Sequence, residues 1–272
     1  MSLSETKLLL RKHRILPNRL LGQNFMVESH IFAKLSGYAS LDKNDVVLEV
    51  GAGFGFLTRF LSNSCKSVLA VEKDPCVAEV LREQLRGVAN VTIVEGDVLK
   101  AHVPVFNKVA SIPPYQISSR LLMWLFNRDF ACAVLVFQKE FANRLVASVG
   151  TEDYGWLTVF TYYVAEVELL DAVPRWMFFP QPEVDSVIVR LKKRETAPFE
   201  VKDVALFRQM LRLVFTERNK KVSNAVVPFI KSVRGFSAEE AKKLVCGLPF
   251  REKRVRALSP EEIGALANAL VI

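Results

Sequence analysis

The sequence predicts an α/β domain followed by a helical C-terminal part, and three observations carry this. Between residues 46 and 137 short apolar runs alternate with helical stretches, as strands joined by crossover helices do. The first run, Val46 to Val50 within VVLEVGAGFGFLT, ends in Gly51, Gly53 and Gly55 directly before a helix. Beyond Pro198 the periodicity is helical only. Together these describe a Rossmann-like sheet domain with a small helical domain after it.

The glycine-rich stretch is the centre of the reading. Alternate glycines let backbone pass close to a ligand where a Cβ would collide, and the helix that follows offers unpaired N–H groups. A dinucleotide fingerprint GxGxxG would need glycine at position 56, which is Phe56. The pattern here is ExGxGxG, with Glu49 in the strand end. A carboxylate there suits a ligand bearing an ammonium group better than a pyrophosphate, which favours S-adenosylmethionine over NAD.

With 272 residues, 50% of them hydrophobic, the chain has material for one full α/β domain and a smaller one. Cys65, Cys76, Cys132 and Cys246 form no CxxC pair, and His13, His30 and His102 show no metal-ligand spacing. Neither a disulfide frame nor a metal site is expected. No apolar run approaches the roughly 20 residues of a membrane helix, and no signal peptide is recognised, so a cytoplasmic protein without membrane attachment is expected. The net charge of +8 is uneven: +4 over residues 1–24, +6 over 199–272 and −2 between. Basic ends flanking a near-neutral centre suit a nucleic-acid partner.

Taken in order, Lys7 to Arg19 reads as a basic arm or short helix, with Arg11, Lys12 and Arg14 as candidate RNA contacts. LGQNFM, Leu21 to Met26, puts the amides of Gln23 and Asn24 just ahead of the sheet domain. Ile31 to Tyr38 is helical. After the glycine loop and the helix Phe56 to Asn63, the run Val68 to Val71 ends at Glu72, placed to accept ribose hydroxyls. Pro75 opens a helix that leads to Val91 to Val94, and Asp97 follows, placed to accept from an adenine amino group. The next strand, Lys108 to Ile112, runs into Pro113, Pro114 and Tyr115. A rigid turn with an aromatic ring at a strand end suits methylation of an amine conjugated to a ring: acceptors favour the pyramidal nitrogen, and the ring holds the base. Ala131 to Phe137 is a buried strand and Phe141 to Ser148 a helix; Trp156 to Leu170 is an aromatic, β-branched run. Phe178 to Pro182 is a proline-rich aromatic loop before the strand Val184 to Leu191, and Lys192 to Pro198 is a linker. Val204 to Phe215 is helical, Arg218, Lys220 and Lys221 form a basic cluster, and Ser237 with Glu240 and Ser259 with Glu262 have capping-box spacing.

These motifs resemble the rRNA adenine N6,N6-dimethyltransferase family over almost the whole chain. LGQNFM, EVGAGFGFLT, Glu72, Glu95 to Val98, PYQISS, FFPQPEVDS and Phe215 with Arg218, Lys220 and Asn224 carry the resemblance. It implies a class I S-adenosylmethionine-dependent methyltransferase sheet with a small C-terminal helical domain. It further implies dimethylation of N6 of two adjacent adenosines near the 3′ end of small-subunit (16S) rRNA in an immature ribosomal subunit. By position, Gln23, Asn24, Met26, Glu49, Gly51, Gly53, Glu72, Asp97, Val98 and Ile112 are expected at the cofactor, and Tyr115 and Phe178 at the target base. The expected divisions are a basic arm at 1–24, the methyltransferase domain at 25–196 and an RNA-binding helical domain at 197–272. A monomer is expected.

One departure bears on catalysis. The family usually has Asn, then Leu or Ile, before its Pro-Tyr, whereas this chain has Ile112 and Pro113. Ile112 has no side-chain acceptor. Ser111, one residue earlier, or the carbonyls of Ile112 and Pro113 remain, and the expectation is that the carbonyls with Pro114 and Tyr115 suffice. Arg120 stands where the family commonly has Pro. Two other readings are a non-catalytic assembly or transcription factor that retains the fold, and a large-subunit rRNA adenine N6-methyltransferase.

Overall fold

In the computed structural model, which describes residues 2–271 (Arg234 and Ala238 by backbone only), the basic start of the chain is a helix, α1 (Leu3–Lys12). Ser2 accepts from the Glu5 amide to cap it, and Arg11 and Lys12 sit in its last turn, where the helix dipole favours cations. Its buried Leu9 and Leu10 pack with Ile15, Phe54, Val77 and Val80.

There follow β1 (Phe25–Met26), α2 (His30–Tyr38), β2 (Val46–Val50), α3 (Phe56–Ser62), β3 (Ser67–Glu72), α4 (Pro75–Gln84), β4 (Val91–Glu95), β5 (Lys108–Ser111), α5 (Ser118–Phe126), β6 (Cys132–Gln138), α6 (Lys139–Leu145), α7 (Trp156–Val164), β7 (Ala165–Val173), β8 (Phe178–Phe179) and β9 (Ser186–Lys193). The seven-stranded sheet has the order β4-β3-β2-β5-β6-β9-β7, and β1 pairs separately with β8. From β4 through β6 neighbouring strands are parallel, and β9 runs antiparallel to β6. Val47, Leu48, Val68 to Val71, Val109, Ala110 and Ala133 to Phe137 are buried, the near-continuous apolar runs of strands covered on both faces. Each valine, leucine or phenylalanine among them contributes about 1.5–3 kcal/mol on burial.

The order matters for function. From β2 the chain steps outward through β3 and β4, then returns to β5 on the other side of β2. Strand order thus reverses between β2 and β5, and a crevice at such a switch point is where open α/β sheets bind ligands.

Two compact units result: Met1–Ala142 with Glu168–Lys193, and Asn143–Val167 with Arg194–Ile272. These differ from linear boundaries at 24/25 and 196/197, because each unit is built from two stretches of chain. The run Trp156 to Leu170 divides into α7 and β7, and α7 belongs to the second unit. Tyr163 shows why: its ring packs on Phe199 and Phe207, with centroids 5.1 and 5.4 Å away. The second unit also holds α8 (Val204–Val214), α9 (Val222–Ala225), α10 (Val227–Arg234), α11 (Ala238–Cys246) and α12 (Pro260–Ala269). Its α8 buries Leu206, Phe207, Met210, Leu211 and Val214. Both expected capping boxes form, at Ser237 with Glu240 and at Ser259 with Glu262. Among the described residues no helix is long and apolar enough to cross a membrane.

Candidate active site

Where β2 and β5 part, a cavity opens at the carboxyl ends of the strands. The glycine loop forms its floor: Gly51, Gly53 and Gly55 all have positive φ, the region open to glycine at little cost. At Gly51 a Cβ would lie 2.9 Å from Pro114 Cδ and 3.8 Å from the Ile112 carbonyl oxygen. The two motif loops therefore touch across this glycine.

Three acids stand at or just past the ends of β2, β3 and β4, each in a different state. Glu49, at the end of β2, lines the cavity, is 2% exposed, and its Oε2 has no hydrogen-bond partner among the described residues. Burial, helped by the nearby Glu72 charge, pushes its pKa up to about 8. Glu72 is the opposite case, with Oε2 accepting from Gly53 N at 2.9 Å and Oε1 from Asp74 N at 2.9 Å. Burial still raises its pKa, against those two bonds. For Asp97 burial pushes upward, but the Leu99 amide at 3.0 Å and Lys73 at 3.1 Å outweigh it and hold the carboxyl below its ordinary range. A buried acid with a spare oxygen, flanked by glycine backbone, is a donor set that fits the ammonium of S-adenosylmethionine.

The other wall is apolar. Ile112, Pro113, Pro114, Tyr115 and Phe178 line it, and the Tyr115 and Phe178 rings meet edge to face at 6.3 Å. The Tyr115 hydroxyl is 2.6 Å from Ser186 Oγ. Burial pushes that phenol up to about 12, so it stays neutral. Phe178 reaches this wall because β8 pairs antiparallel with β1, setting Met26 opposite Phe178.

The cavity thus gathers Gln23, Asn24, Met26, Glu49, Gly51, Gly53, Glu72, Asp97, Val98, Ile112, Pro113, Pro114, Tyr115, Phe178 and Arg120. Ser111 is the exception. It is fully buried, and its hydroxyl accepts from Val50 N at 3.0 Å and donates to Val50 O at 2.7 Å, joining the two strands just where their ladder ends. Of the two acceptors the sequence leaves open, the Ser111 hydroxyl is therefore engaged on β2, while Ile112 and Pro113 line the cavity. Gln23 is also engaged at both ends, its Oε1 accepting from Asn18 N at 2.8 Å and its Nε2 donating to Asp74 at 2.7 Å.

Residues beyond those expected also matter. Lys73 lines the cavity and pairs Asp97; its place next to the strand-end Glu72 was the available signal. Gln116 packs on Gly22, where a Cβ would strike its Oε1 at 1.7 Å, and it donates to Arg19 O at 2.7 Å. LGQNFM and PYQISS are thereby locked together, which no linear spacing shows.

The basic residues divide. Arg11 and Arg14 line a second cleft beside the first, whereas Lys12 pairs with Glu83 at 3.2 Å. In the second unit Arg218 donates to the Glu152 carbonyl, Lys220 pairs with Glu217 at 3.0 Å and Lys221 with Glu252 at 2.7 Å.

A mostly parallel sheet with its glycine loop and strand-end acids at the switch point defines a class I S-adenosylmethionine-dependent methyltransferase. The family model described as ribosomal RNA adenine dimethylase matches residues 16–237. The "Probable ribosomal RNA small subunit methyltransferase A" of Methanosarcina mazei is 39% identical over 250 residues, 91% of each chain. A dimethyladenosine transferase from Plasmodium falciparum superposes with a TM-score of 0.75 at 29% identity, over 89% of this chain and 95% of that one. The 23S rRNA methyltransferase ErmE gives 0.65 at 30% identity, over 91% and 99%. The chain belongs to the ribosomal RNA adenine dimethylase family, and it is an rRNA adenine methyltransferase.

Proposed function

We propose that this protein dimethylates N6 of two adjacent adenosines near the 3′ end of small-subunit (16S) rRNA, within an immature ribosomal subunit, as a cytoplasmic monomer. The observation that carries the reading is the meeting, at Gly51, of a buried carboxylate with one spare oxygen and a proline-rigid aromatic wall. Bound S-adenosylmethionine supplies a methyl group activated by its sulfonium for in-line displacement by the adenine N6.

The chain's residues do the rest. Glu49 gives up its proton and takes the ammonium; Glu72 offers its remaining lone pairs to the ribose; Asp97 accepts from the adenine amino group. Gly51, Gly53, Asn24, Met26 and Val98 shape the walls, and Gln23 positions Asp74 and the loop ahead of β1. Tyr115 and Phe178 hold the target base, and carbonyls of Ile112 and Pro113 accept from its amino group as the nitrogen becomes pyramidal. Proximity and orientation supply the acceleration. No side chain is needed as general base, since the N6 proton leaves to water after attack. Arg11, Lys12, Arg14, Arg218, Lys220 and Lys221 contact RNA phosphates; the exposed ion pairs of Lys12, Lys220 and Lys221 are weak enough to exchange for them.

The test is incubation with labelled S-adenosylmethionine and unmethylated small subunits, then digestion of the RNA. N6,N6-dimethyladenosine at two adjacent positions is expected. Cofactor binding with no product would favour the non-catalytic assembly-factor reading that Ile112 raises, and product on the large subunit would favour the reading that the likeness to ErmE raises.

A further inference from the structure

The two-residue strand β8 stands between two cavities. Successive strand residues point to opposite faces, and here Phe178 lines the active-site cavity while Phe179 lines an open cleft of about 540 Å³. The cleft's other walls include Lys7, Arg11, Arg14, Ile15, Leu16 and Pro17, from α1 and the turn after it. Among the described residues Lys7, Arg11 and Arg14 have no ion-pair partner, unlike their neighbour Lys12. Lys7 Nζ lies 5.1 Å over the Phe179 ring, and Leu16 is 88% exposed. Arg14 has φ 54°, a left-handed conformation rare for a long side chain, held by Arg14 N to Arg11 O at 3.2 Å and Ile15 N to Leu10 O at 2.9 Å. That turn sets two guanidinium-bearing residues on the rim of a cleft with aromatic and aliphatic walls. Cations without an ion-pair partner beside a ring are the chemistry that takes a phosphate and a base together.

We infer that this cleft is a subsite for the nucleotide adjoining the target adenosine. Arg11 and Arg14 take its phosphate, and its base lies against Phe179 and Leu16, displacing Lys7 from the ring toward the same phosphate. The inference rests on the RNA-methyltransferase reading, since a neighbour is present only if the first cavity holds a base of an RNA chain. For two adjacent adenosines it sets the waiting one across a single strand from the reacting one.

The experiment is fluorescence anisotropy with the full chain, S-adenosylhomocysteine and a short single-stranded RNA carrying two adjacent unmethylated adenosines. A second RNA has one neutral methylphosphonate at either linkage adjoining the target, and a third has an abasic site beside it. Wild type is expected to lose about 10-fold in affinity with one of the neutral linkages and about 10-fold with the abasic site. Arg11→Ala/Arg14→Ala binds the unmodified RNA about 10- to 100-fold more weakly, becomes indifferent to that linkage, and shows a log–log salt slope shallower by about 0.7, for the one phosphate lost. Phe179→Leu becomes indifferent to the abasic site. Unchanged affinity for S-adenosylmethionine shows that each variant is folded. Additive effects of protein and RNA changes overturn the subsite. Methyl transfer by wild type to N6 in the same RNA, measured in parallel, separates the claims: transfer with additive effects overturns the subsite alone, and neither transfer nor binding overturns both.

Discussion

The two walls of the cavity solve different problems. The cofactor wall is polar and carries its acids in three grades: Glu49 buried with one oxygen unpartnered, Glu72 buried and doubly bonded, Asp97 half-buried and paired to Lys73. The transfer wall has no ionisable group that titrates near neutrality; it is proline, isoleucine and two rings. Affinity on the first wall comes from specific charges, and on the second from rigid shape. Substitutions should therefore separate cofactor affinity from turnover.

The largest expected effect is on the charged wall. Glu49→Gln removes the partner for a buried ammonium, and S-adenosylmethionine affinity, measured by calorimetry, should fall by about 3 kcal/mol, on the order of 100-fold. The same site sets the pH dependence. Glu49 holds its proton up to about pH 8 in the free protein, so cofactor affinity should rise with pH by up to about tenfold per unit toward that value. It should turn down above it as the ligand's amino group, with an ordinary pKa of about 7.7–8.0, loses its proton. Glu49→Gln should lose the rising limb. Without cofactor, stability should fall as pH rises from the ordinary 4.5 through about 8, because the folded state keeps a proton there that the unfolded chain has released. A flat thermal-melt series over that range would contradict the burial of Glu49.

On the rigid wall the effect should be on turnover. Tyr115→Ala should lower kcat by about 100-fold through a misplaced base while cofactor affinity stays near wild type. Tyr115→Phe keeps the ring and loses only the hydroxyl contact to Ser186, so about 1 kcal/mol of stability is expected to go, with kcat little changed. If both variants lost turnover equally, the hydroxyl and not the ring would be the working part.

The smallest effect tests where the walls join. Ser111→Ala should lower stability by about 1–3 kcal/mol, since the Val50 amide and carbonyl each lose a buried partner, and should leave kcat within a few fold. Abolished transfer in a folded variant would return Ser111 to the chemistry.

What was legible in the sequence follows the same division. Strand ends in a parallel sheet are signalled locally, by an apolar run and the glycine or acid that stops it, so β2, β3 and β4 and their acids were placed within a residue or two. The helix caps at Ser237 and Ser259 were equally local. Contacts made across the chain were not. Nothing near Ser111 announces that its hydroxyl turns to Val50, and two-residue strands such as β1 and β8 carry no periodicity to detect. The run Trp156 to Leu170 was opaque because its aromatic and β-branched residues suit both states; Thr158 Oγ1, accepting from Gly155 N at 3.1 Å, starts the helix that its composition leaves open.

Glu72 has a consequence for how such a site can be altered by mutation. Its carboxylate accepts from Gly53 in one loop and from Asp74 at the start of α4, so it pins the shape of the glycine loop before any ligand arrives. The residue is pleiotropic. Exchanging it to change which nucleoside is admitted would also unpin the loop, so a shift in ligand preference would have to arise together with a second change that restores those two bonds.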